Sequence, residues 1–241
     1  MAAAGRAGNC PFRFGLCACG LARRSRAKGK QRPNKGLIMH IAEGVLSPAV
    51  LATGYALTAA GTALGLKKLD YDRLMTVAIL AATFFVGSLI HVPIGITSAH
   101  LILNGLLGVI LGWAAFPAIL AALALQALLF QFGGLVVLGV NTFTMGFSAV
   151  VAGYVFRGLC RAWPTPAGQK IAAFCGGALG VMGAGLLTAV ALASSDEGFA
   201  TAARLLFLAH LPIMLAEGLI TMLTVGFIAR VRPEMLRLSA A

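Results

Sequence analysis

The chain has 241 residues, of which 59% are hydrophobic and 11% are charged. A soluble domain carries about 25% charged residues, so this composition excludes an ordinary water-soluble fold and indicates one integral membrane domain. The net charge of +12 does not indicate a nucleic-acid partner, because residues 1–38 hold nine basic and no acidic residues, while the rest of the chain holds ten basic and seven acidic residues.

The first 38 residues differ from the rest in composition. Gly, Arg and Lys dominate this leader, and such a composition favours disorder. Its longest apolar stretch is too short for the core of a signal peptide, and Gly36-Leu37-Ile38 does not match a small-x-small cleavage site. We therefore divide the chain into a disordered basic leader, 1–38, and a membrane-embedded domain, 39–241. We expect that the translation start is assigned too early, so that the leader is not made, or that the leader is removed.

Seven apolar segments follow the leader, and they predict an all-α integral membrane bundle of about seven transmembrane helices. The third and fourth segments are short and rich in Gly or bounded by Pro. The stretch from His91 to Asn104 is a candidate for non-helical backbone at membrane depth, which is tolerated where protein surrounds it. The segments are 47–66, 74–91, 98–112, 117–132, 142–160, 170–193 and 204–229.

The basic residues of the domain predict its orientation, because cytoplasmic loops are enriched in Lys and Arg. Basic residues follow the first, fifth and seventh segments. With those loops in the cytoplasm of a bacterial inner membrane, the seven segments alternate, residue 39 lies outside and the carboxyl terminus lies inside. The basic residues concerned are Lys67, Lys68, Arg73, Arg157, Arg161, Lys170, Arg230, Arg232 and Arg237.

The four histidines of the chain all fall near the outer ends of the predicted segments: His40, His91, His100 and His210. Ionisable groups inside a membrane domain are costly and tend to mark a functional site. Such a group of imidazoles indicates a metal or proton site that faces outward. For His91 and His210 taken singly, a hydrogen bond to a neighbouring helix is the more common role. We expect Glu43 and Glu217 to anchor helices through hydrogen bonds rather than to bind an ion.

The most informative motif is MHIAEGVLSP at 39–48. With it, the chain resembles the CbiM/NikM family, the cobalt/nickel substrate-specific subunits of energy-coupling-factor transporters, whose members begin with a Met-His-Ile-x-Glu-Gly motif. The resemblance covers essentially all of 39–230. It continues in the motifs TSAHL at 97–101, QALLF at 126–130, GGL at 133–135, LGVN at 138–141, HLP at 210–212 and EGLIT at 217–221.

The resemblance implies a metal site built on the amino-terminal segment, inserted at the outer face. Met39 would supply its α-amine, His40 its deprotonated backbone nitrogen and one imidazole nitrogen, and His100 the remaining ligand. Four nitrogens in a plane favour Ni(II) or Cu(II), and Co(II) can use the same site. If the chain begins at Met1, the nitrogen of Met39 is an amide and this site cannot form, so the implied site also favours a start at Met39.

Other polar residues surround this implied site. His91 is an alternative ligand to His100, which we favour. Glu43, Thr97, Ser98 and Asn104 are candidates for the groups that receive the second ring N–H of the ligating histidines. The sequence does not pair these groups with particular rings.

The resemblance implies a non-catalytic subunit with no permanent cofactor, which captures Co²⁺ or Ni²⁺ as transported substrate; cobalt would serve cobalamin biosynthesis. The chain has no GxxxxGK[ST] motif for ATP. Two cytoplasmic ATPase subunits, a transmembrane coupling subunit and a small accessory membrane subunit are the implied partners. The alternatives are a secondary proton-coupled cation transporter and a purely structural membrane subunit. The glycines of the segments either pack the helices or form a surface for the coupling subunit.

Overall fold

A computed structural model describes residues 46–89, 91–94, 97–131, 133–195 and 200–237. In these ranges the predicted all-α membrane bundle is confirmed, with one two-stranded ribbon added to it. Two short 3₁₀ turns, Tyr71–Arg73 and Gly112–Ala114, precede α2 and α4. The elements are α1 Pro48–Lys67, α2 Leu74–Leu89, β1 His91–Ile94, β2 Thr97–His100, α3 Asn104–Leu111, α4 Ala115–Phe130, α5 Leu138–Ala162, α6 Pro166–Ala193, α7 Ala200–Val231 and α8 Glu234–Arg237.

The described helices form a multi-pass membrane domain. Six helical stretches are long and apolar enough to cross a bilayer: Pro48–Lys67, Tyr71–Leu89, Asn104–Phe130, Leu138–Ala162, Pro166–Ala193 and His210–Val231. Large apolar side chains such as Leu128, Leu223 and Phe227 remain about two-thirds exposed on the outside of the bundle. This outward apolar surface is what a lipid environment requires.

Local chemistry sets the starts of two long helices. Ser47 caps α1, because its hydroxyl accepts the backbone N–H of Val50, and Pro48 occupies the first helical position. Thr165 caps α6 in the same way through the N–H of Gly168, and Pro166 follows it. Proline is well suited to the first turn because its missing N–H would have had no partner there.

The third predicted segment is wrong at its start. Residues 97–100 form strand β2 rather than helix, and α3 begins at Asn104. The strand pairs with β1, and these backbone hydrogen bonds replace the helical bonds that the apolar pattern predicted. The interpretation of His91 to Asn104 as a non-helical stretch is therefore confirmed for its described residues before Asn104, which itself begins α3.

The helices α3 and α4 run in opposite directions. Leu103, before α3, lies against Gly87 of α2, and Gln126, near the end of α4, hydrogen-bonds to the adjacent Ser88. Between them, the chain reverses at Gly112, whose φ of +57° is a conformation that favours glycine. The 27-residue apolar stretch is thus folded back on itself, with its turn beside the Lys68 end of α1.

Basic residues cluster at the end of the bundle that holds this turn. The ammonium of Lys68 lies 5.4 Å from the ring centroid of Trp113, and the indole N–H of Trp113 donates to the hydroxyl of Tyr154 at 2.9 Å. The guanidinium of Arg157 lies 4.6 Å from the Tyr154 ring centroid. The clustering agrees with the predicted grouping of loops at one membrane face.

Glycines bring the central helices close together. A Cβ at Gly105 of α3 would lie 2.7 Å from the backbone of Gly177 in α6, and a Cβ at Gly180 would lie 2.5 Å from Gly105. The same packing within the chain accounts for the other glycines that were candidates for a coupling surface, namely Gly54, Gly61, Gly108, Gly176 and Gly177. Their close contacts are internal, which favours the packing role.

Candidate metal site

The two histidines of the described ribbon pair directly across it. In the antiparallel register, His91 lies opposite His100, Val92 opposite Ala99, Pro93 opposite Ser98 and Ile94 opposite Thr97. Directly opposed residues in such a ribbon have Cα atoms about 4.5–5.5 Å apart. The preferred ligand and its alternative therefore occupy one rung, and the candidate residues Thr97 and Ser98 belong to the same strand as His100.

The ribbon leads into a helix that begins near the middle of the domain. Asn104, the first residue of α3, donates from its side-chain amide to the carbonyl of Gly180 at 2.9 Å. Gly180 lies halfway along α6. Strand β2 is therefore joined to the bundle at mid-depth rather than at its rim, four residues after His100.

A buried carboxylate holds the start of α3. Glu217 of α7 is fully buried, and its carboxylate accepts the backbone N–H of Ile102 and that of Leu103, the latter at 2.8 and 2.9 Å to its two oxygens. Leu103 has a φ of +53° and offers no side-chain cap. Because the first N–H groups of a helix have no partner inside the helix, Glu217 serves as the missing cap from another helix. It is a hydrogen-bond anchor, as the sequence predicted.

The side chain of Asn104 binds the neighbouring helices as well. Beyond Gly180, its amide lies 3.1 Å from the hydroxyl of Ser148 and 3.4 Å from the carbonyl of Met145. Its carbonyl oxygen accepts the N–H of Gly105 at 2.9 Å. These bonds fix α3 between α5 and α6, and they use the amide donors of Asn104 away from the ribbon.

The first described residues of the domain lie at the opposite end from the basic residues. Leu46 is buried against Val137 and Val140, and the N–H of Ser47 donates to the hydroxyl of Ser195 at 3.3 Å. The start of α1 therefore meets the end of α6.

Several predicted site residues lie outside the described residues. Met39, His40 and Glu43 precede residue 46, as does the whole amino-terminal segment that was expected to insert at the outer face. Among the described side chains, no three of the types His, Cys, Asp and Glu lie close enough together to hold an ion. His210 is buried in α7, beside Gly185 of α6.

Sequence reasoning missed part of the polar support. Ser148 bonds to Asn104, and the buried Gln126 donates to Ser88 between α4 and α2. Both lie in apolar segments, where a polar side chain is costly unless it is hydrogen-bonded. A search for every polar residue within the seven segments would have found them, although not their partners.

Fold and site together define a class: a multi-pass membrane protein with a histidine-bearing ribbon joined to its interior. The family described as the cobalt uptake substrate-specific transmembrane region matches residues 40–235. The chain belongs to this CbiM family.

Relatives and solved structures agree with that membership. A relative from Haemophilus influenzae, described as a metal transport protein, is 40% identical over 199 residues, which is 82% of this chain and 97% of the relative. The cobalt transport protein CbiM of Geobacter sulfurreducens is 31% identical over 82% of this chain and 61% of its own length. A crystal structure of a transition metal transporter matches with a TM-score of 0.65 and 31% identity, over 80% of this chain and 93% of that one.

Proposed function

We propose that this chain is the substrate-capture subunit of an ATP-driven importer of the energy-coupling-factor type for cobalt or nickel ions. The proposal rests on its family and on relatives named for cobalt and nickel transport. The observation that carries it is the His91–His100 rung, held at the start of α3 by Glu217. The chain itself is non-catalytic. Two ATPase subunits, a coupling subunit and a small accessory membrane subunit complete the proposed transporter.

The proposed ligands are the α-amine of Met39, the backbone and ring nitrogens of His40, and the ring of His100. His40 lies six positions before Leu46, which is buried against Val137 and Val140 just before the start of α1. Six extended residues span at most about 20 Å, which limits how far His40 can lie from Leu46. Glu43, Thr97 and Ser98 are the proposed partners of the second ring N–H groups.

The position of the amine is the critical chemical requirement. In the domain arrangement proposed, residues 1–38 are absent from the working protein, and 39–241 is the transport domain. Met39 then carries a free amine that can complete a plane of four nitrogens with His40 and His100. The family match to residues 40–235 supports this division of the chain.

If the basic end lies on the cytoplasmic side of a bacterial inner membrane, the ribbon and residue 39 face the outside. The clustering of Lys68 and Arg157 around the α3–α4 turn supports this orientation. The hydrogen bonds of Glu217 argue against a proton-coupled transporter in which this residue relays the proton, because both of its carboxylate oxygens accept backbone N–H groups.

Titration calorimetry of a chain that begins at Met39 tests the proposal. We expect H40N and H100N to weaken nickel and cobalt binding at least 100-fold, because each removes a ligand. H91N is the matched control on the same rung and should change affinity less than tenfold. A larger loss in H91N than in H100N would assign the ligand to His91. Wild-type affinity in H40N and H100N would instead support a purely structural role for the histidines.

A further inference from the structure

A cavity of about 300 Å³ opens between the first turns of α6 and the last turns of α7. It lies at the basic end of the bundle, on the opposite side of the membrane from the proposed metal site. The lining residues are Lys170, Met222, Leu223, Gly226, Phe227 and Arg230. A cavity of this size is large enough for a small ligand or the head of a lipid.

The charges of the cavity have one sign. Lys170 and Arg230 supply two cationic side chains, and none of the described residues that line the cavity is acidic. Within the described part of the chain, the ion pairs are Arg73–Asp70 and Arg232–Glu234, so neither cavity cation has a carboxylate partner there. The site is therefore complementary to an anion.

The rest of the wall is apolar and continues onto the outer surface of the bundle. Met222, Leu223 and Phe227 form this wall, and Leu223 and Phe227 are 62% and 65% exposed. Gly226 leaves the space open: a Cβ there would meet the Lys170 side chain at 3.9 Å, an ordinary contact. An occupant thus meets hydrocarbon on one side and two cations on the other.

We propose that this cavity binds the phosphate head of an anionic phospholipid, with an acyl chain lying along Leu223 and Phe227. A soluble anion would use the two cations but would gain nothing from the apolar wall. A lipid uses both, and the cavity lies where helix ends meet the head groups. Basic pockets between helices at the cytoplasmic face are suited to anionic heads, and the orientation proposed above puts the cavity at that face.

Lipid binding can be measured on the purified chain in a neutral detergent, by native mass spectrometry and by the shift of the unfolding temperature. The probes are dioleoyl phosphatidylglycerol, dioleoyl phosphatidylcholine and glycerol phosphate at equal concentrations. We expect phosphatidylglycerol alone to bind and to raise the unfolding temperature, with binding that weakens as salt is added. Equal binding of phosphatidylcholine, or an equal response to glycerol phosphate, would overturn the proposal.

Two variants separate the cavity from general surface charge. K170Q/R230Q should weaken phosphatidylglycerol binding about tenfold or more, whereas K67Q/R161Q, which removes two exposed cations from the same end, should not. G226L retains both cations but fills the cavity, and it should also lose binding.

Normal lipid binding in G226L would contradict the assignment, as would equal losses in the two charge variants. If K170Q/R230Q instead blocks assembly with a coupling subunit and leaves lipid binding intact, the cavity is a protein contact and the lipid proposal is wrong.

Discussion

At the scale of single residues, Glu217 is a fully buried carboxylate whose two oxygens are both engaged. A buried carboxylate is usually paired with a cation, yet the described contacts of Glu217 are with the N–H groups of Ile102 and Leu103. The positive end of the α3 macrodipole favours a negative charge at this position. One side chain of α7 therefore fixes the backbone two residues after His100.

Removal of the Glu217 carboxylate should destabilise the protein and loosen the proposed site together. E217A leaves two buried N–H groups without their acceptor, so we expect a loss of about 2–4 kcal/mol in the free energy of unfolding. We also expect nickel affinity to fall at least tenfold, because the backbone that follows His100 is released. Thermal unfolding in detergent and titration calorimetry measure the two effects.

Thr221 supplies the control for Glu217. It lies one turn further along α7, fully buried, and its hydroxyl has no hydrogen-bond partner in the described structure. T221A should therefore change neither the unfolding temperature nor the affinity appreciably. If E217A unfolds earlier but binds nickel normally, Glu217 supports the fold alone and does not position His100.

The sequence could predict the anchoring role of Glu217 but not its partners. An ionisable residue in an apolar segment stands out, since its burial must be compensated. Its partners are backbone groups of two apolar residues, Ile102 and Leu103, which lie more than 110 positions earlier in the chain. No side-chain pattern marks such backbone donors, so only the folded structure reveals this contact.

At the scale of elements, the folded-back pair α3 and α4 determines the depth of the ribbon. Helix α3 has eight residues and spans about 12 Å, much less than a bilayer. Because α3 starts at mid-depth, the end of β2 lies inside the domain. The chain reverses direction at Gly112 and continues as α4. The sequence predicted two short segments here, because Gly and Pro interrupt the apolar pattern. It did not predict the ribbon, whose strands are too short to produce a clear alternation.

Close contact between α3 and α5 should make Gly108 intolerant of any side chain. A Cβ at Gly108 would lie 1.7 Å from the carbonyl oxygen of Ala149, so G108A must push the two helices apart. We expect a loss of about 3 kcal/mol or more in the free energy of unfolding. The unfolding temperature in detergent, measured for each variant, gives the comparison.

Gly158 of α5 is the matched helical glycine. Nothing lies within 4 Å of a Cβ built there, and alanine favours the helix over glycine by about 1 kcal/mol. G158A should therefore equal or exceed the parent protein in stability. Similar destabilisation in G108A and G158A would contradict the close packing of α3 against α5.

At the scale of the whole molecule, the two ends of the bundle differ in chemistry. One end gathers the start of α1 and the end of α6. The other gathers the clustered basic residues and the cavity between α6 and α7. Uneven basic charge is visible in the sequence and predicts this polarity. The depth of the ribbon cannot be read from the sequence, since it depends on contacts among α3, α6 and α7.

The proposed nitrogen ligands make a further prediction at this scale, because every one of them binds a proton in competition with the ion. An amine has a pKa near 8 and an imidazole one near 6.5, and the backbone amide of His40 must lose its proton as well. Affinity should therefore fall as the pH falls, by about tenfold or more per pH unit below pH 7.

Calorimetry on a chain that begins at Met39 should show this dependence on pH. The chain with residues 1–38 attached should bind at least 100-fold more weakly at pH 8, since its Met39 nitrogen is an amide. Equal affinity in the two chains would exclude the amine as a ligand, and affinity independent of pH would exclude the planar nitrogen site altogether.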